Sequence, residues 1–211
     1  MRDSSRTSGG LAVMAIVLTA LSCGEPLEDR DLSPPVPRVQ AIKTPPPVPS
    51  AETFLRTAIG GDVAALDAAI AAGADLHSRT AEGATALMLA SFQGHTDSVR
   101  TLLEHGAGVG DKDGSGRTAL MYASSGPYSK TVGLLLKAGA EVNRTDDLER
   151  WSALMFAGGE GLTEVIRLLL SHGADANLKD VDAETASTFA QRNGHDEAEL
   201  LLKAAMEEHR E

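Results

Sequence analysis

Few side chains in this 211-residue chain could carry covalent or metal chemistry. There is one cysteine, Cys23, inside VLTALSCGEP, and six histidines are spread along the rest. Activating a serine nucleophile calls for a G-x-S-x-G elbow, and holding a nucleotide phosphate calls for a glycine-rich loop opening a helix; the sequence has neither. His105 and His172 each stand one residue before a Gly-Ala pair, while His95 and His195 each follow a glycine. Positions that recur in this way suit helix ends, where an imidazole meets free carbonyls. No HExxH and no paired cysteines accompany them, so a metal site is not expected. DKDGSG, from Asp111 to Gly116, looks like part of a calcium loop but lacks the later glutamate, and its Gly and Asp suit a turn. The expectation is a protein with no catalytic residues, no cofactor and no metal.

Cys23 has a different context. A head carrying Arg2 and Arg6 precedes the apolar run Leu11 to Leu21, and small residues follow, which is the layout of a secretory signal peptide over residues 1–22. The run is far shorter than the ~20 residues of a spanning helix, so export is expected rather than a permanent span. Ala20-Leu21-Ser22-Cys23 resembles the lipobox of bacterial lipoproteins, with Ala20 where that family prefers leucine. The resemblance implies a diacylated Cys23 as the first mature residue; ordinary cleavage after Ser22, leaving a free thiol, is the alternative. Gly24 rather than Asp follows the cysteine, which resembles a signal for transfer to the outer membrane, facing the periplasm. Residues 23–50 hold eight of the nine prolines, so an extended tether is expected there.

What must position any binding residue is a repeat. Gly-Ala pairs begin at Gly73, Gly106, Gly139 and Gly173, an almost constant interval. Thr85-Ala86-Leu87-Met88, Thr118-Ala119-Leu120-Met121 and Ser152-Ala153-Leu154-Met155 keep step with them, and Thr185-Ala186-Ser187 is a degraded fourth copy. Thr85, Thr118 and Ser152 suit N-caps of a short first helix. Val99, Leu102 and Leu103, then Val132, Leu135 and Leu136, then Ile166, Leu169 and Leu170 give a second helix one apolar face. Such a period predicts a solenoid whose units are stable only when stacked.

Helix, turn, helix and hairpin in this pattern, with T-A-L-M and L-L-x-x-G-A, resemble the ankyrin repeat. The resemblance implies an all-α array over residues 51–211, in units 51–80, 81–113, 114–147, 148–181 and 182–206. Thr53-Phe54-Leu55 echoes the repeat start in the first unit, and Glu199 and Lys203 replace Val99 and Leu103 in the last, as a solubilising cap would. Met88, Met121 and Met155 stand where the family usually has histidine, so the Thr-to-His bond that steadies the turn is expected to be missing.

The family's recognition places imply partner contacts at Glu82, Ala84, Phe92 and Gln93, at Ser115, Arg117 and Ser125, at Glu149, Trp151, Gly159 and Glu160, and at Asp182, Glu184, Arg192 and Asn193. Trp151, the only tryptophan, reads either as an anchor for a partner or as a residue packed across the neighbouring hairpin. Tyr122 and Phe156, at the place of Leu89, read as core. The net charge is −11, one unit more negative without the leader, which disfavours nucleic acid and favours a basic partner or simple solubility. The resulting expectation is a monomeric, lipid-anchored, non-catalytic scaffold for a protein partner on the concave face. The alternative is an accessory or stabilising factor for an exported enzyme.

Overall fold

A computed structural model describes residues 47–208; Cys23, the expected leader and the expected tether up to Pro46 lie outside the described residues. Within them ten helices follow one another: α1 (Ala51–Gly60), α2 (Val63–Ala71), α3 (Ala86–Phe92), α4 (Thr96–Glu104), α5 (Ala119–Ser124), α6 (Ser129–Lys137), α7 (Ala153–Gly159), α8 (Thr163–Ser171), α9 (Ala186–Arg192) and α10 (Asp196–Glu208). They form five antiparallel pairs. Odd helices pack on odd and even on even, so two helical layers enclose one continuous core. Extended structure among the described residues is limited to two isolated bridges, Arg79 with Thr85 and Thr145 with Ser152, at the necks of two hairpins. The expected all-α repeat array is what forms.

Local chemistry starts and stops each helix. The hydroxyls of Thr85 and Ser152 accept the backbone N–H groups of Met88 and Met155 at 3.4 and 3.3 Å, which satisfies donors that a helix start leaves free. Methionine supplies a different bond where the Thr-to-His one was expected to be missing. The thioether sulfurs of Met88, Met121 and Met155 accept the backbone N–H of Thr85, Thr118 and Ser152 at 3.4, 3.5 and 3.4 Å. Sulfur is a weak acceptor, but the turn is still closed from both sides without a histidine. A correction concerns the first helix, whose N-cap is Ser50, with Thr53 inside the helix donating to it. The Thr53 echo therefore lies one turn beyond the real start, and α1 is longer than the other odd helices.

Second helices stop at the Gly-Ala pairs. Gly106 takes φ 87°, Gly106 N–H donates to Leu103 O and Ala107 N–H to Leu102 O, the paired bonds of a left-handed helix stop. Between paired helices the turn glycines answer to packing as well as to φ. The rings of His95 and His195 lie against Gly61 and Gly161 of the preceding pairs, where any Cβ would collide with them.

The core is filled as the spacing predicts. Val99, Leu102, Val132, Leu135, Ile166 and Leu169 are buried between the layers, with Leu87, Leu120 and Leu154 from the odd helices above them. Leu103 and Leu170, the third members of their triads, are only half-buried. At the far end Glu199 and Lys203 pair with each other at 2.5 Å, on the face that another helix would otherwise cover.

Gly133 is the exception in this well-filled layer. It sits in the middle of α6, outside the left-handed region, and a Cβ there would meet only Leu168 Cδ2 at 3.7 Å. Glycine inside a helix is less stable than alanine by about 0.5–1 kcal/mol, because it loses more backbone freedom on folding. Gly133→Ala is accordingly expected to raise the melting temperature of the array, read by circular dichroism; a fall would mean that the gap beside Leu168 is tighter than its geometry indicates.

Candidate functional site

Three hairpins are each built on one carboxylate oxygen. Asp146 Oδ1 accepts the N–H groups of Glu149 and Trp151 at 2.9 and 3.2 Å. Asp113 Oδ1 does the same for Ser115 and Arg117, and Asp180 Oδ1 for Asp182 and Glu184. Short-range bonds of this kind fold a polar segment back on itself. The tips then join in file, with Gly114 N–H donating to Glu82 O at 2.8 Å, Asp147 N–H to Ser115 O at 2.9 Å and Val181 N–H to Glu149 O at 3.1 Å. The DKDGSG segment is therefore a hairpin whose Asp113 is already engaged, since its Oδ2 also accepts the Tyr122 hydroxyl at 2.6 Å. Among the described residues no group of three or more His, Cys, Asp or Glu is placed to hold a metal ion.

The odd helices and these hairpins share one face, and a row of aromatic rings runs along it. Phe92 meets Tyr122 edge-on at 5.9 Å between centroids. Farther along, Trp151 packs edge-on against Phe156 of α7 at 5.3 Å and Phe189 of α9 at 5.1 Å. Two arginines cover the row. The Arg117 guanidinium lies 5.3 Å above Phe156 while its Nε donates to Asp146 Oδ2 at 3.4 Å. Arg192 lies 4.9 Å above Phe189 and donates to Glu184 at 2.7 Å. A guanidinium held flat by a carboxylate can stack on a ring and still offer its remaining donors outward.

This geometry sorts the residues singled out in the sequence. Phe92, Gln93, Glu160 and Arg192 lie exposed at the ends of the odd helices; Glu82 and Glu149 are exposed at hairpin tips; Arg117 and Trp151 are half-buried. Glu82 is further marked by a carboxyl held below its usual range, first by its own backbone N–H and then by the Thr80 hydroxyl. Trp151 reaches the next helix pair through Phe189, so packing is part of its role. Tyr122 and Phe156 are not core residues, which corrects their assignment. Both are half-buried and belong to the aromatic row. Desolvation first, and then the bond to Asp113, push the Tyr122 hydroxyl up to about 12, so it remains a neutral donor across ordinary pH.

Histidines hold helix ends. His105 and His172 donate through Nδ1 to Thr101 O and Leu168 O, both at 2.9 Å, and His95 Nε2 donates across to Ile59 O at 2.9 Å.

The family model described as Ankyrin repeats (3 copies) matches residues 54–146 and 128–210. The chain belongs to the ankyrin repeat family. Ankyrin arrays are in general non-catalytic protein-interaction scaffolds, and the row of rings lies on the hairpin side of this one. A search of curated proteins found no match to the chain.

Two functional candidates escaped the sequence reading of this ankyrin array, Tyr122 and Phe156; Phe189, which holds the same place in the last pair, is only 4% exposed and belongs to the core. Their signal was present in the repeat itself. The place they share with Leu89 changes from Leu to Tyr to Phe to Phe, while the next residue is alanine every time, at Ala90, Ala123, Ala157 and Ala190. A position that varies beside one that never does is only partly covered by the stack at Leu89, Tyr122 and Phe156.

Proposed function

We propose that this ankyrin array is an exported, non-catalytic scaffold that captures a protein partner on its hairpin face and is tethered to the cell envelope through acyl chains on Cys23. The row from Phe92 to Arg192 carries the reading. Phe92 is 52% exposed although it is a large apolar ring, and it stands beside ring and arginine groups of the kinds that dominate binding energy. The exposed carboxylates of Glu82 and Glu149 at hairpin tips and of Glu160 at the end of α7 favour a partner segment with basic side chains and disfavour nucleic acid. The signal layout before Cys23, and Gly24 after it, support an outer-membrane anchor facing the periplasm.

Two measurements test the two halves of this reading. A partner recovered from envelope extract is titrated against wild-type protein and Phe92→Ala. Capture is expected to weaken by at least ~2 kcal/mol, with the melting temperature nearly unchanged, since an exposed ring adds little to the stack. Unchanged affinity would remove the aromatic row from the interface. Metabolic labelling with a fatty-acid analogue is expected to mark wild-type protein and leave Cys23→Ala unmarked; equal labelling of both would sink the anchor.

A further inference from the structure

The even helices form the opposite face, and there the charge reverses locally. Arg100, Lys130, Lys137 and Arg167 surround a groove of about 760 Å³ running across α4, α6 and α8, with Glu164 the one carboxylate among its lining residues. This concentration of cations occurs in a chain of net charge −11. Arg100 and Arg167 are held only by long, exposed pairs, at 3.6 Å to Asp97 and 3.7 Å to Glu197. Lys130 and Lys137 have no ion pair among the described residues.

Gly133 creates the groove. Arg100 stands one repeat before it and Arg167 one repeat after it, so the place that holds arginine in both neighbouring pairs holds no side chain in the central one. No turn, left-handed φ or backbone collision requires glycine at this point. Its effect is to open the space between the two arginines down to Leu134 and Leu168. Lys130 and Lys137 stand one turn to either side on the same helix, because residues three and four apart share a face. A groove with an apolar floor and four cations on its rim matches an oxyanion joined to an apolar group.

We propose that this groove is a binding site for a small phosphate monoester bearing an apolar substituent. The phosphoryl group sits among Arg100, Lys130, Lys137 and Arg167, and the substituent lies over Leu134 and Leu168. A dianion fits a rim of several cations better than a single carboxylate does. A small ligand fits better than an extended polyanion, because the acidic remainder of the chain repels anything that reaches beyond the groove.

Calorimetric titration of the full-length protein tests the site with four probes: hexyl phosphate, inorganic phosphate, hexanol, and vesicles of phosphatidylglycerol with phosphatidylcholine. Hexyl phosphate is expected to bind with a dissociation constant below ~1 mM and at least ~10-fold more tightly than inorganic phosphate, with hexanol silent. Gly133→Leu, which fills the gap, and the double variant Lys130→Gln with Lys137→Gln should each weaken that binding at least ~10-fold, with neither variant melting below the wild type. Should Gly133→Leu fail to fold, the surface lysine pair decides alone. Absence of hexyl phosphate binding, or equal binding by the variants, overturns the site. Recruitment to anionic vesicles without hexyl phosphate binding also overturns it, and assigns the patch to a membrane surface instead.

Discussion

Leu135→Ala is expected to destabilise the array by about 2–5 kcal/mol, the cost of a large-to-small change in a core that relaxes only partly. Leu135 is completely buried in α6, in the third of five helix pairs. Its side chain sits between the two helical layers, and both neighbouring pairs stack on this one. Because an array gains most of its stability from such nearest-neighbour stacking, damage in the middle weakens two interfaces at once. Urea denaturation followed by circular dichroism reads the loss, and a second transition would show that the two halves have uncoupled. A loss below ~1 kcal/mol would mean that the site collapses around the alanine, contrary to the packing described for this layer.

Asp146→Ala is expected to cost about 2–3 kcal/mol, through three hydrogen bonds lost at one carboxylate. The Asp146 side chain has no solvent exposure, yet Oδ1 holds the hairpin N–H groups of Glu149 and Trp151 and Oδ2 faces Arg117. Removing one member of a fully buried ion pair costs about 3–5 kcal/mol, and the lower figure applies because solvent reaches Arg117 and screens its charge. The consequence should extend to the candidate site. Arg117 loses the partner that holds it over Phe156, and Trp151 loses the bond that sets its backbone. Since Trp151 is the only tryptophan, its fluorescence reports directly: emission should shift to the red in Asp146→Ala. Asp146→Asn keeps an acceptor oxygen and should retain most of the stability. An alanine variant as stable as the wild type, with unshifted emission, would show that the hairpin does not depend on this carboxylate.

Much of the array is legible in the sequence because its determinants are local. A hydroxyl before Ala-Leu-Met starts a helix, apolar residues three and four apart choose a buried face, and glycine at a left-handed position stops the helix. Each needs only neighbours within a turn, and the regular period repeats them until the fold class is unambiguous. The same locality placed the histidines at helix ends. It also set the misreading of Thr53: the resemblance to later repeats outweighed Ser50, which no earlier unit constrains and which actually caps α1.

Tertiary structure decided which side of a repeated position faces solvent. The place of Tyr122 and Phe156 has apolar spacing, and spacing alone cannot separate a residue under the next helix from one beside it. Only the stack does that, by leaving their rings half-covered and bringing Trp151 between Phe156 and Phe189, which lie a whole repeat apart in the chain. The methionine sulfurs at the caps likewise needed a folded side-chain direction before they could count as acceptors. The groove over Gly133 belongs to this second class as well. Its four cations come from three helices, and they share a rim only because stacking sets those helices side by side. Helix starts, stops and period are matters of bonds within a turn; a binding face is made by residues one repeat apart, and it exists only once the repeats have stacked.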